Sequence, residues 1–367
     1  MIKVLHFIPA FNIGGVESLI MSLYRNIDKS KIQFDFLVET EEEIEDFNEI
    51  KKYGGNIHYL QKLNKKNPFK YIKQIKDFFM NNSKNYSILH CHNIERSLFI
   101  LYYAKKNNIN CRIFHAHTDS FRGVKYEKLV KIILNLDIKL STHFLSPSKN
   151  AGNFHFKNKN YQILNNAIDT KEFSFSENKR KIMRLKMDFN KKFVIGHTGR
   201  FTYAKNHLKI INIFNEVYKK EPMARLLLVG DGPLKKDIEK RINDLGLSKV
   251  VIFTGGRKDI SDLLQTMDVF LLPSFFEGFC ISLLEAQSVG LPCVISDVIP
   301  KEVQITNLIH RHKLNEDNKI WADKILLYKY HKRIGYNTFI KAKGYDIQQN
   351  ADWLMKFYFK IYNEKKG

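Results

Sequence analysis

The chain of 367 residues is poor in acidic side chains, 38 Asp and Glu against 60 Lys and Arg, and its formal charge is +22. That balance directs attention to anionic partners: nucleic acid, an acidic membrane surface or a phosphorylated small molecule. Cysteine is scarce too. The four, at 91, 111, 280 and 293, show no paired spacing and lie in or beside apolar stretches, which excludes a disulfide framework and favours a reducing compartment and a packing role. No apolar run approaches the roughly 18 residues of a membrane-spanning helix. Met1 to Phe7, cut off by Pro9, lacks the basic region and apolar run of a secretion signal, so the expected location is the cytoplasm. Internal repeats and low-complexity tracts are missing.

What is present is a core-forming composition, 44% hydrophobic and 13% aromatic, and an alternation of short Val/Ile/Leu/Phe runs with longer amphipathic segments. Such alternation is the pattern of an α/β, doubly wound fold. Strands are expected near 2–8, 33–38, 87–91, 111–116 and 142–146 in a first domain, residues 1–170. A polar, Lys-rich linker is expected over 171–190 and a second domain over 191–345. A terminal aromatic helix, 346–367, is expected to pack back on the first.

Two segments of the second domain carry chemistry. The first, PSFFEGFCISLLEAQSVGLP at 273–292, follows the apolar run Val269 to Leu272 and sets Glu277 and Glu285 around a helix start. Small molecules bind open α/β sheets beyond the carboxyl ends of strands, where helix N-termini offer free N–H groups. Carboxylates there accept from hydroxyls, so the site asks for a polyol attached to a phosphate. The second segment is VIGHTGRFTYAKNHLKII, at 194–211. Gly199 permits a tight turn, and Arg200 and Lys205 flank a short polar loop in which both can close on a diphosphate, Arg bidentately and Lys as a point charge.

Together these strings resemble the retaining glycosyltransferases of family 4, which have the GT-B fold of two Rossmann-like domains facing a cleft. Their Glu, seven residues, Glu signature stands here as Glu277 and Glu285, and their Gly-Arg and Lys as Gly199, Arg200 and Lys205. IPAFNIGGVES resembles the family's glycine loop, with Gly14, Gly15 and Glu17. LSPSKN, ILNNAIDTKEF, LLLVGDGPLKKDIE, VIFTGGRKDI and LLQTMDVFLLPS follow in the family's order. SDVIPKEVQI further resembles capsular and exopolysaccharide members. Two departures stand out: Cys280 where many relatives carry Gly or Pro, and no Gly-Gly-x-x-Glu loop after the strand at 293–296.

The resemblance implies transfer of a sugar from a nucleotide-sugar donor, UDP before GDP, to a hydroxyl of a lipid-linked saccharide with retention of configuration. Donor-binding positions are then Gly15, Gly199, Arg200, Lys205, Arg257, Glu277, Phe279, Cys280, Ile281 and Glu285. Arg200 and Lys205 would neutralise the departing diphosphate, Glu285 would hold the ribose, and Glu277 the sugar hydroxyls. His117 in IFHAHT matches the family's histidine after this strand and would meet the sugar or acceptor. With no Asp-x-Asp in the chain, no metal or other cofactor is expected.

Other features leave room for alternatives. His92, His115 and His117 cluster, but no carboxylate or cysteine spacing completes a zinc site. His92 reads as an ordinary satisfied polar residue. Residues 60–160 hold 19 Lys or Arg against 5 Asp or Glu, much of the excess on two amphipathic segments. Asn67 to Phe79 sets Phe69, Ile72, Ile75, Phe78 and Phe79 opposite Lys70, Lys73 and Lys76. Phe121 to Leu140 sets Lys125, Lys128 and Lys131 beside Leu129, Ile132, Ile133 and Leu136. Either could be a core-facing helix with a solvated face; together they suggest peripheral attachment to the anionic inner face of the cell membrane. Nucleic acid is a weaker alternative, since the aromatics follow helix and strand periods and no binding motif appears. A nucleotide-sugar epimerase or an inactive partner subunit would share the fold; retention of both Glu and both cations argues against the inactive subunit.

Overall fold

The computed structural model describes residues 1–9, 15–39, 45–63, 67–94, 96–118 and 126–364. The chain divides into two compact units, Met1–Ala167 with Ile347–Gly367, and Ile168–Asp346. Each is built on a parallel sheet.

In the first unit the strands are β1 (Ile2–Phe7), β2 (Ile32–Val38), β3 (Ile57–Tyr59), β4 (Ile88–Cys91), β5 (Cys111–His115), β6 (His143–Ser146) and β7 (Gln162–Ile163), in spatial order 3-2-1-4-5-6-7. Alternation along each strand splits the apolar residues between two faces. Val4, Ile88 and Ile113 enter one core, while Leu5, Leu89 and Phe114 enter the other. The first face is covered by helices Gly15–Asn26 and Ile347–Asn363, the latter contributing Ile347, Ala351, Leu354, Tyr358 and Ile361. β3 and β7, three and two residues long, lie outside the strands expected from sequence; runs so short carry no periodic signal.

The second unit has β8 (Phe193–Thr198), β9 (Ala224–Val229), β10 (Val251–Gly255), β11 (Val269–Leu272), β12 (Cys293–Ser296) and β13 (Ile309–His312), in order 10-9-8-11-12-13. Val194, Phe270 and Ile295 face one core and Ile195, Leu271 and Val294 the other. Gly196 in β8 lies against Met267, whose thioether sulfur, Sδ, would stand 2.0 Å from an added Cβ, so a larger residue there would have to displace that side chain. All four cysteines are buried free thiols.

The expected linker is a correction. Residues 171–190 belong to the second unit and contain the helix Glu177–Lys186. Arg180 and Arg184, one turn apart, both pair with Asp268, just before β11, and that carboxylate also accepts from the Val194 amide at 2.7 Å. A polar, basic composition looked like a linker because the carboxylates that receive it, Asp268 for the two arginines and Asp262 for Lys179, lie more than eighty residues away. The expected domain limits at 170 and 345 shift to 167 and 346.

Candidate active site

In the second unit the strand order reverses between β8 and β11, which are neighbours although β9 and β10 separate them in sequence. Ligands of doubly wound sheets bind at such a switch point, beyond the carboxyl ends of the two strands. Lys205 follows β8 and Glu277 follows β11. The Lys205 ammonium lies 2.8 Å from Glu277 Oε1 and 3.0 Å from Oε2, with both side chains largely buried. Ser274, fully buried, donates its hydroxyl to Glu277 Oε1 at 2.6 Å and accepts at its carbonyl from Ser296. Burial works against the Lys205 ammonium, but Cys280, Glu277 and Glu285 offset it and its pKa is raised; it stays a cation. Burial, then Glu172, pushes the Glu285 carboxyl up to about 7, against the pull of Lys205.

Gly199 turns directly after β8, and a Cβ there would lie 3.1 Å from His197 Nε2 and 3.2 Å from the Lys205 stem. Gly230, at φ +141°, would put a Cβ 2.1 Å from the Gly199 carbonyl; its backbone conformation and this close approach both require glycine. Arg200 is exposed, and no hydrogen bond or ion pair of its guanidinium is found among the described residues. Cys280 caps the helix Ile281–Ser288 without a side-chain cap bond, and its thiol is buried in the core, leaving its backbone as the part that can meet a ligand. Ile281 is half-buried at the first helical position, and Phe279 stacks on Tyr345 with ring centroids 5.6 Å apart. Arg257 is exposed. It follows the edge strand β10 and forks onto Asp259 at 2.7 and 2.5 Å.

In the first unit Gly15 is the exposed first residue of its helix; Gly14 and Lys125 lie outside the described residues. His117 sits just past β5, half-buried, beside His115 with ring centroids 4.2 Å apart. Burial, then His155, lowers its pKa to about 3, so the ring is neutral. His92, expected as an ordinary satisfied polar residue, has both ring nitrogens in contact with other imidazoles, His6 and His117, each at 2.9 Å. Two triads, His6 with His90 and His92, and His92 with His115 and His117, bring ring nitrogens within 4.8 Å of one another. Their nitrogens are largely engaged with one another and with Tyr358. Sequence reasoning gave no role to Ser274, His6 or His197; the only signal was their position at strand ends.

A family model described as glycosyl transferases group 1 matches residues 178–323. Over nearly full length, 97% of this chain and 96% of the relative, the sequence is 31% identical to the putative glycosyltransferase EpsF of Bacillus subtilis. The chain belongs to this glycosyltransferase family. The enzyme is also 26% identical to the capsular polysaccharide biosynthesis glycosyltransferase CapH of Staphylococcus aureus, over 98% of this chain and 99% of that one. It is 29% identical to the Escherichia coli UDP-Gal:alpha-D-GlcNAc-diphosphoundecaprenol alpha-1,3-galactosyltransferase, over 59% of each chain. Its fold matches that of Anabaena Alr3699/HepE, solved in complex with UDP, with a TM-score of 0.79 at 14% identity, covering 98% of this chain and all of that one. The two parallel-sheet units are those of the GT-B fold.

Proposed function

We propose that this glycosyltransferase moves a sugar from a UDP-sugar to a hydroxyl of a lipid-linked saccharide in capsular or exopolysaccharide biosynthesis, with retention of configuration and without a metal ion. The observation that carries the reading is the Lys205–Glu277 pair at the β8/β11 switch point. A fixed cation and a fixed carboxylate side by side suit a ligand that is phosphate at one end and polyol at the other. UDP in the HepE structure and the diphosphoundecaprenol acceptor named for the E. coli relative support the choice of donor and acceptor classes.

In this reading the acceptor hydroxyl attacks the anomeric carbon from the face that the diphosphate leaves, and no protein nucleophile is needed. Charge on the departing diphosphate is the main electrostatic demand. Lys205 meets it from a preorganised position, and the uncommitted Arg200 guanidinium closes on the same oxygens. Glu277, held by Ser274, accepts from the sugar hydroxyls and Glu285 from the ribose. His117 meets the transferred sugar. Peripheral attachment to the inner face of the cell membrane brings the enzyme to its lipid-linked acceptor.

The two ends of this arrangement should fail differently. Arg200→Ala should weaken UDP binding and slow transfer, by about 3 to 4 kcal/mol of transition-state stabilisation. His117→Ala should bind UDP like the wild type and lose turnover at saturating donor. Calorimetry and a lipid-linked acceptor assay separate the two. Wild-type transfer by His117→Ala would make that histidine structural.

A further inference from the structure

Five imidazoles stack on one face of the first sheet, at the carboxyl ends of three adjacent strands: His6 on β1, His90 and His92 at β4, His115 and His117 at β5. Strand parity puts them there, since His6 shares the face of Val4, His90 that of Ile88 and His115 that of Ile113. The strand order reverses between β1 and β4, so the column begins at this unit's own switch point. His90 is anchored separately, to Tyr358 at 2.7 Å and His115 at 3.3 Å.

The other three form an unbranched chain. His6 Nδ1 lies 2.9 Å from His92 Nε2, and His92 Nδ1 lies 2.9 Å from His117 Nε2. At one end His6 Nε2 is buried without a partner. At the other, no hydrogen bond to His117 Nδ1 is found among the described residues. Burial keeps all three rings neutral, with His6 and His117 lowered to about 3 and His92 lowered well below the ordinary imidazole range.

A neutral imidazole has one N–H and one lone pair, and each contact consumes one of each. If His6 donates from Nδ1, His92 accepts at Nε2 and carries its proton on Nδ1. His92 then donates to His117 Nε2, and the His117 proton is left on Nδ1. Reversing one ring reverses all. The chain therefore has two states, every proton on Nδ1 or every proton on Nε2, and they differ in what is left at the buried end. The second strands an N–H at His6 Nε2, in a ring packed 4.1 Å from Phe34 and 5.6 Å from Phe36, centroid to centroid. Among backbone groups an orphaned buried N–H is rarer than an under-satisfied acceptor, and a ring N–H stranded against phenyl groups loses its hydrogen bonds to water in the same way.

We infer that His6 and His92 are positioning residues that fix His117 in the Nδ1–H tautomer, so that it offers a ligand oxygen one permanent hydrogen-bond donor. The chain has no outlet at His6, so it conducts no proton, and His117 acts by donating rather than as a base. This rests on the reading that His117 meets the transferred sugar.

Nitrogen-15 NMR of histidine-labelled protein reads each tautomer directly. The expected result is Nδ1–H in His6, His92 and His117 alike, unchanged between about pH 8 and about pH 5.5. His92→Phe should leave His117 a mixture of tautomers and lower turnover at saturating donor roughly tenfold or more, the size seen for partners that orient a functional imidazole, with UDP affinity unchanged. His92→Asn, whose amide can still donate toward His117, should recover part of that loss. His6→Phe is the second variant should His92→Phe fail to fold, and it too should release the tautomer. Mixed tautomers, Nε2–H, or a protonated His117 in the wild type would overturn the inference. Wild-type turnover in His117→Ala would remove the sugar-facing role while leaving the tautomer result standing, so the two ideas fail separately.

Discussion

Burial, then Glu172, raises the Glu285 carboxyl to about 7 beside Lys205. Ribose hydroxyls donate more strongly to a carboxylate than to a carboxylic acid. Nucleotide affinity should therefore rise as pH increases from about 6 to about 8, because deprotonation creates the better acceptor. Glu285→Gln should flatten that rise in calorimetry; an equal slope in the variant would place the titration elsewhere. Lys205 and Arg200 together supply two positive charges where a divalent ion would stand in a metal-dependent transferase. If these cations replace a divalent ion, EDTA should leave turnover unchanged. Loss of activity in EDTA, restored by magnesium or manganese, would overturn the metal-free reading and direct attention to the histidine triads.

Among the elements, the two basic helices differ from a simple amphipathic reading in an instructive way. In Pro68–Asn82 the buried residues are Tyr71, Ile75 and Phe79, while Phe69 is 80% exposed. In Glu127–Leu140 the core takes Val130, Leu134 and Asp137, and Leu129, Ile132 and Leu136 are all exposed among Lys128, Lys131 and Lys139. An apolar stripe beside lysines is what an anionic lipid surface binds. Changing Lys70, Lys73, Lys128 and Lys131 to Gln should abolish sedimentation with anionic vesicles and leave UDP binding intact, and salt should weaken the wild-type association. Equal sedimentation by the variant, or none by the wild type, would return both helices to ordinary solvated faces. The helix Glu177–Lys186 was the least legible element. Its partner, Asp268, comes from a different part of the chain, and composition alone cannot locate an acceptor.

For the molecule as a whole, the histidine column has a stability signature. His6, His90, His92, His115 and His117 all titrate well below 6.5 in the fold, whereas the unfolded chain takes up protons near that value. Below about pH 6.5 the unfolded state binds more protons, so stability is full above that pH and is lost as pH falls toward about 3. Asp137, raised by burial to about 8, and the raised Glu17 and Glu39 act with the opposite sign, but five imidazoles outnumber them. Each unit contains one tryptophan, Trp353 in the first and Trp321 in the second. With Trp321→Phe, the urea midpoint read by Trp353 should drop steeply between about pH 6.5 and about pH 5. A midpoint unchanged over that range would contradict the neutral, buried cluster.

Local signals in the chain were enough for the doubly wound α/β class, for β1, β2, β4, β5 and β6 of the first unit and for the family, because hydrophobic periodicity and short motifs are local properties. Phe193 to His197 and Val269 to Leu272 read as strands, found at Phe193–Thr198 and Val269–Leu272, and Lys205 and Glu277 as residues that follow them. That these two side chains touch, across 72 positions, follows from the folded chain, in which β8 and β11 become neighbours at a reversal of strand order. The same holds for His6 and His92, 86 positions apart, and for His92 and His117, 25 apart. Parallel register sets which strand ends meet, and the hydrogen bonds of an imidazole follow from its neighbours in space.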